Sequence, residues 1–205
     1  NPAWDWITLE DPRARAVIDR LPHWVVGQPI PVLQITGLPA TVQGYWSLWQ
    51  ISLEADGLTR RRFLPVFVND AGRSFVPTAR RAWDLLLTED VRVGGVVDAS
   101  LSAAGFNTAY QAARVQGDRV FQDLVVSNAQ RVREERERAL YAYEARRQAI
   151  ARLGLPAVRE HRIKRLEREQ AARLEAFDRA EMATPDLHAV LVVRIDSQGA
   201  TGGLA

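Results

Sequence analysis

The densest group of residues in this chain that could do chemistry is cationic. Positions 146 to 168 hold eight basic side chains against only Glu160 and Glu167, a local net charge of +6 in a chain whose total is +2. The basic residues are Arg146, Arg147, Arg152, Arg159, Arg162, Lys164, Arg165 and Arg168. We call residues 146–168 the basic tip. Arginine presents a planar fork of N–H donors that matches phosphate and carboxylate oxygens, so the pattern indicates anion binding.

Residues for bond-breaking chemistry form no recognisable set. The three histidines stand in unrelated contexts: His23, His161 and His188. The aspartates considered as metal ligands are spread along the chain: Asp84, Asp98 and Asp118. The sequence has no GxxxxGK[ST] or GxGxxG phosphate loop, and no HExxH or GxSxG motif. We therefore expect no enzyme activity, cofactor, metal or small-molecule substrate in this chain.

Composition places the chain among ordinary globular proteins. It has 205 residues, of which 47% are hydrophobic and 25% charged, enough for one large domain or two small ones. It has no cysteine, which excludes disulfides and favours a cytoplasmic location. No run of about 18 apolar residues occurs, so we expect no membrane partner. Because the first residue is Asn1 rather than Met, we expect a fragment of a longer protein.

The basic tip must be positioned by two charged helical segments between Arg131 and Met182, which only Gly154-Leu155-Pro156 interrupts. Each segment carries a narrow apolar stripe at spacings of three, four and seven residues, typical of the seam of an antiparallel coiled coil. The stripe residues are Val132, Ala139, Tyr143, Ile150 and Leu153, then Ile163, Leu166, Gln170, Leu174 and Phe177. We expect Gly154 to cap the first helix and Pro156 to begin the second.

Charges along these helices are predicted to pair locally. Glutamate four residues before a cation has the favourable helical order. The predicted pairs are Glu134–Arg138, Glu160–Lys164, Glu169–Arg173 and Glu175–Arg179.

A β-sheet is predicted from Tyr45 to Asn69, where alternating apolar residues flank the turn dipeptide Asp56-Gly57. The apolar run His188–Ile195 reads as a buried strand that joins the same sheet, and Val32–Ile35 as a short extended segment. A short third strand is predicted at Arg73–Val76.

Helices are predicted at Trp4–Leu21, where Asp11-Pro12 begins the first turn, and at Pro77–Leu87, which offers Ala82, Leu85 and Leu86 to the sheet. A third is predicted from about Ala103 to Leu153, with one group of side chains packing on the body: Tyr110, Val115, Val120, Phe121, Leu124 and Val125.

These elements predict an α+β fold, a small antiparallel sheet with packed helices and an inserted long antiparallel helical hairpin. The predicted domains are an α+β body at residues 1–130, the hairpin at 131–182, a strand returning to the body at 183–196 and a flexible tail at 197–205.

Two further features allow alternative interpretations. Trp46 and Trp49 lie on opposite faces of their strand, and we favour core packing over a platform for stacking bases. Arg60-Arg61-Arg62 is equally compatible with contact to a phosphate backbone and with a charged strand edge that prevents aggregation.

Several segments resemble one family. Ile7–Ile18 resembles the entry to the C-terminal region of bacterial SNF2-family helicases, the RapA-like ATPases that include phage-defence proteins. Arg62–Val68 is similar to a strand of that region with a P-V-F-V core. Glu144–Arg159 resembles its charged helical hairpin, and Leu191–Ile195 resembles its closing strand. Asp11 departs from the family pattern, which has histidine there.

The resemblance implies a non-catalytic accessory region that follows two motor lobes. ATP and Mg²⁺ would bind the parent's motor, and translocation on duplex DNA would be the parent's activity. We expect the basic tip to contact nucleic acid or a partner protein. The alternative is a structural docking module with no nucleic-acid contact.

Overall fold

The computed structural model describes residues 24–196 of the chain. In chain order its elements are β1 Pro31–Ile35, β2 Gln43–Ala55, β3 Leu58–Asn69, α1 Val76–Thr88, β4 Val91–Val96, α2 Ala99–Ala151, α3 Pro156–Glu181 and β5 Asp186–Asp196. The predicted α+β class with a long helical hairpin is confirmed. The predicted helix at Trp4–Leu21 and the predicted tail at 197–205 lie outside the described residues.

The five strands form one sheet in the order β3-β2-β5-β1-β4. β1 is antiparallel to β4 and parallel to β5. The strand predicted at His188–Ile195 therefore does join the sheet begun by β2. Its neighbours Val192 and Val193 are both buried although they point to opposite faces. This explains why the segment reads as a continuous apolar run instead of an alternating one.

The described chain falls into two compact units. The first comprises residues 24–50, 63–116 and 188–196, and the second residues 51–62 and 117–187. These units group residues by proximity, whereas the domains predicted from sequence follow the order of the chain. The predicted boundaries therefore stay predictions.

Trp46 belongs to the core that the sheet forms with α1 in the first unit. Its side chain is fully buried, and its indole N–H donates to the carbonyl oxygen of Ala79 at 2.9 Å. Its ring stacks on Trp83 with 5.7 Å between centroids. Ala82 and Leu85 of α1 are buried in the same core, as predicted.

Trp49 is buried against α2 in the same unit. Its indole N–H donates to the Ser47 hydroxyl at 2.8 Å, and its ring centroid lies 5.7 Å from that of Phe106 and 5.6 Å from that of Tyr110. Because Trp46 and Trp49 are both buried, the core interpretation is confirmed and neither ring is an open platform for bases.

Two predictions about local structure are wrong. Arg73–Val76 forms only an isolated bridge between Val68 and Ser74, because α1 already begins at Val76. Val115 does not pack on the body and is 78% exposed. The buried positions Ala109 and Ala113 are one helical turn apart, which leaves Val115 on another face of α2.

Glycine is required at two positions of the β2–β3 hairpin. Asp56 and Gly57 both have positive φ, 53° and 75°, as the predicted two-residue turn demands. Gly44 has φ of 150°, and a Cβ there would lie 2.1 Å from the carbonyl oxygen of Val68. Since that atom is backbone, the clash cannot be relieved by a side-chain rotation.

We predict that Gly44→Ala lowers the free energy of unfolding by about 2 kcal/mol or more, through the clash and the strained φ. The matched control is Gly94→Ala, where the nearest side-chain atom would lie at 3.5 Å. The control should change stability by less than about 0.5 kcal/mol. Urea unfolding of both variants measures the difference, and equal stabilities would contradict this account of Gly44.

Candidate functional site

The two long helices pair in antiparallel fashion within the second unit. Arg136 of α2 forms an ion pair with Asp178 of α3. Further along α2, Arg147 donates to Gln170 Oε1 at 3.4 Å. Partners on α3 therefore descend in number as those on α2 ascend, which is the register of an antiparallel hairpin.

An apolar seam joins the arms of this hairpin. Val132, Leu166 and Phe177 are buried, each no more than 2% exposed, and the other predicted seam residues are half-buried. The coiled-coil interpretation of the stripe spacing is thus confirmed. The stripe is narrow, so most other side chains of the arms face solvent.

A buried amide lies at the root of the hairpin. Asn128 donates through Nδ2 to the carbonyl oxygen of Ala180 at 2.8 Å, and its Oδ1 accepts from Arg131 at 3.0 Å. A buried polar group in an apolar seam favours one register, because any slip would leave it without partners.

Three of the four predicted ion pairs within a helix are present. Their N–O distances are 3.5 Å for Arg138–Glu134 and 2.7 Å for both Lys164–Glu160 and Arg179–Glu175. Each pair is exposed, so each contributes only about 0.3–0.5 kcal/mol.

The predicted Glu169–Arg173 pair is wrong. Arg173 instead pairs with Asp56 of the β2–β3 turn, 3.1 Å away, and its guanidinium lies over the Phe177 ring. Helical spacing could not show this, because Asp56 is 117 positions away in sequence.

The turn between the arms differs in part from the prediction. α2 ends at Ala151, and the Leu153 N–H donates to the Ile150 carbonyl oxygen at 3.0 Å in a tightened final turn. Gly154 does not adopt positive φ, so its predicted role as a left-handed cap is wrong. Pro156 begins α3 as predicted.

All eight cations of the basic tip are exposed, but they divide into two groups. Five have a hydrogen-bonded or ionic partner: Arg146, Arg147, Lys164, Arg165 and Arg168. Within residues 24–196 the other three have no ion pair or side-chain hydrogen bond: Arg152, Arg159 and Arg162. These three lie on both sides of the turn, so the unbalanced charge is concentrated there.

Glu169 lies between the two arms, one residue beyond the basic tip. Its carboxylate accepts from Arg165 Nε at 2.9 Å and from Arg146 Nη2 at 3.1 Å. The hydrogen bond from Arg165 lowers the pKa of this carboxyl most, and the hydrogen bond from Arg146 lowers it further below its ordinary value. An open depression of about 270 Å³ is lined here by Arg146, Arg162, Arg165, Leu166 and Glu169.

The cations predicted from sequence include the three that line this depression, but the prediction omits Glu169. Glu169 lies just outside the basic tip, which ends at Arg168. Helical spacing also predicts an ion pair between Glu169 and Arg173 within α3. The missing signal is the register of the seam, because the register that places Arg147 beside Gln170 also brings Arg146 beside Glu169. The Tyr143 hydroxyl indeed donates to the Glu169 carbonyl oxygen at 3.3 Å.

The other sequence candidates lie elsewhere. Arg60 and its two neighbours are on β3, an edge strand, which favours their interpretation as a charged edge. His161 is exposed on α3, His188 is half-buried in β5, and His23 lies outside the described residues.

Neither a metal cluster nor a membrane span is found in the described part of the chain. Residues 24–196 hold no group of three or more His, Asp or Glu side chains placed to bind a metal ion. No helix between those positions is long and apolar enough to cross a membrane.

Comparison with models of known protein families gives no match, and comparison with curated proteins gives none either.

We predict that Glu169 titrates below the ordinary glutamate value of 4.5. Because its pKa is lowered in the folded state, its ion pairs stabilise the fold above the unfolded-state pKa, and this contribution is lost as pH falls through the folded-state pKa. NMR titration of the Glu169 carboxyl carbon measures the midpoint. Arg165→Gln should raise it, whereas Arg168→Gln, with the same change in charge, should move it less. Equal effects would contradict the assigned cause.

Proposed function

We propose that this chain is a non-catalytic accessory domain that binds the phosphate backbone of nucleic acid through its basic tip. The observation that carries the proposal is that three exposed arginines on either side of the turn have no partner in the described residues: Arg152, Arg159 and Arg162. In the described residues they form no ion pair, whereas cations on the shafts of the hairpin pair with carboxylates. An exposed cluster of one sign attracts a polyanion and releases the counterions condensed on it.

The parent protein that we propose is a SNF2-type ATP-dependent helicase. The proposal rests on the resemblance of Arg62–Val68 and Leu191–Ile195, which lie in β3 and β5, and of Glu144–Arg159, which spans the turn of the hairpin. The Ile7–Ile18 segment lies outside the described residues. On this proposal the parent's motor lobes bind ATP and Mg²⁺ in the bacterial cytoplasm, and the hairpin couples nucleic-acid contact to the motor.

A protein-docking module is the second candidate, and one observation favours it. Leu155 and Val158 at the turn are 68% and 40% exposed beside the free cations. Contact with a phosphate backbone does not require apolar side chains, whereas an acidic protein surface with an apolar patch would cover both kinds of group. The two candidates therefore differ in one observable property: the nucleic-acid-binding domain binds duplex DNA without any partner protein, whereas the docking module does not.

The test is to reverse the three guanidiniums that have no partner. We predict that Arg152→Glu, Arg159→Glu and Arg162→Glu together weaken binding to a short DNA duplex by about tenfold or more at low salt. They should also reduce the slope of log affinity against log salt by about 0.9 for each phosphate that the variant no longer neutralises. Fluorescence anisotropy across a salt series measures both quantities. Because these side chains form no ion pair within residues 24–196, the fold should be unaffected.

The matched control reverses three other exposed arginines, Arg80, Arg81 and Arg114. It makes the same change in net charge away from the basic tip and should weaken binding far less. Equal weakening in both variants would indicate a diffuse electrostatic effect. Absence of duplex binding by the unaltered protein at low salt would refute the proposal and favour the docking module.

A further inference from the structure

The Glu169 carboxylate is bound by arginines in the same way that a separate anion would be bound. Two guanidiniums donate to its two oxygens, one from each arm of the hairpin: Arg146 at 3.1 Å and Arg165 at 2.9 Å. Arginine pairs recognise carboxylate and phosphate oxygens by the same planar donor geometry. A site that binds one of these groups is therefore built to bind the other.

A third arginine lines the same depression but does not bind Glu169. Arg162 borders it together with Arg146 and Arg165, and no ion pair or hydrogen bond engages its side chain within residues 24–196. The three arginines thus face one carboxylate. The depression retains a surplus of two positive charges at one point between the arms.

The arginines also keep donors free while they hold Glu169. Each guanidinium has five N–H groups, and Glu169 accepts one from each of its two partners. The Arg146 and Arg165 side chains are 57% and 72% exposed, so the remaining donors are accessible. Leu166, buried in the seam, supplies the apolar part of the lining and fixes this stretch of α3.

We infer that this depression is a discrete binding site for a single phosphate of a nucleic-acid backbone, and that Glu169 is an internal competitor which weakens it. This inference rests on the proposed function and adds to it a location and a means of tuning affinity. An incoming phosphate draws Arg146, Arg162 and Arg165 toward its oxygens. Glu169 opposes it in two ways, because it occupies donors of two of these arginines and repels the phosphate charge.

To test the role of Glu169 as a competitor, two variants are compared that make the same change in net charge on the same helix. Glu169→Gln removes the charge of the competitor, whereas Glu167→Gln removes that of an exposed carboxylate that forms no ion pair in the described chain. We predict that Glu169→Gln tightens duplex DNA binding about fivefold at about 50 mM salt, and that Glu167→Gln tightens it less than about twofold. Circular dichroism and the thermal midpoint verify that both variants are folded.

The outcomes separate the inference from the proposed function. If the unaltered protein binds duplex and both variants tighten binding equally, the discrete site is refuted while nucleic-acid binding stands. If neither the unaltered protein nor Glu169→Gln binds duplex, both proposals fail. Polyglutamate serves as the second probe. If Glu169→Gln gains affinity for polyglutamate and none for duplex, the site takes protein carboxylates and the phosphate inference is overturned.

Discussion

The apolar seam between the two arms of the hairpin is the constraint on which the candidate site depends. Burial of Val132, Leu166 and Phe177 fixes the faces by which α2 and α3 meet, and the register follows from those faces. That register brings Glu169 of one arm beside Arg146 of the other. A seam only one stripe wide also leaves the remaining faces of both arms, with their charged side chains, to solvent.

The two ends of the hairpin differ in charge balance, with cations paired near the root and in excess toward the turn. Near the root, Arg136 pairs across the seam with Asp178, and Arg173 reaches Asp56 of the β2–β3 turn. Toward the turn, carboxylates become too few for the cations, and among the described residues Glu169 is the one carboxylate that pairs with a cation of the other arm there. The surplus predicted from sequence is therefore real but smaller than the charge of residues 146–168 implies, because that segment excludes Glu169.

Sequence patterns predict the main features that depend on local periodicity, and they fail where a distant partner decides. The seam and the Asp56-Gly57 turn follow from periodicity and backbone preference, so they were predictable. No strand is predicted at β4, because Gly94 and Gly95 interrupt the alternation of apolar residues; nearly all its side chains are exposed, and its pairing with β1 includes an irregularity near Gly94. The partner of Arg173 and the bridging role of Glu169 depend on tertiary register, which no local pattern encodes.

The proposed contact of nucleic acid with the turn of the hairpin is tested most directly by site-specific photo-crosslinking to duplex DNA. A photoreactive phenylalanine derivative at Leu155, which is 68% exposed at the turn, is compared with the same group at Val126, which is 64% exposed on α2. We predict a salt-sensitive crosslink to DNA from position 155 and little from position 126. Equal crosslinking at both positions, or crosslinking from position 126 alone, would contradict the proposed contact at the turn.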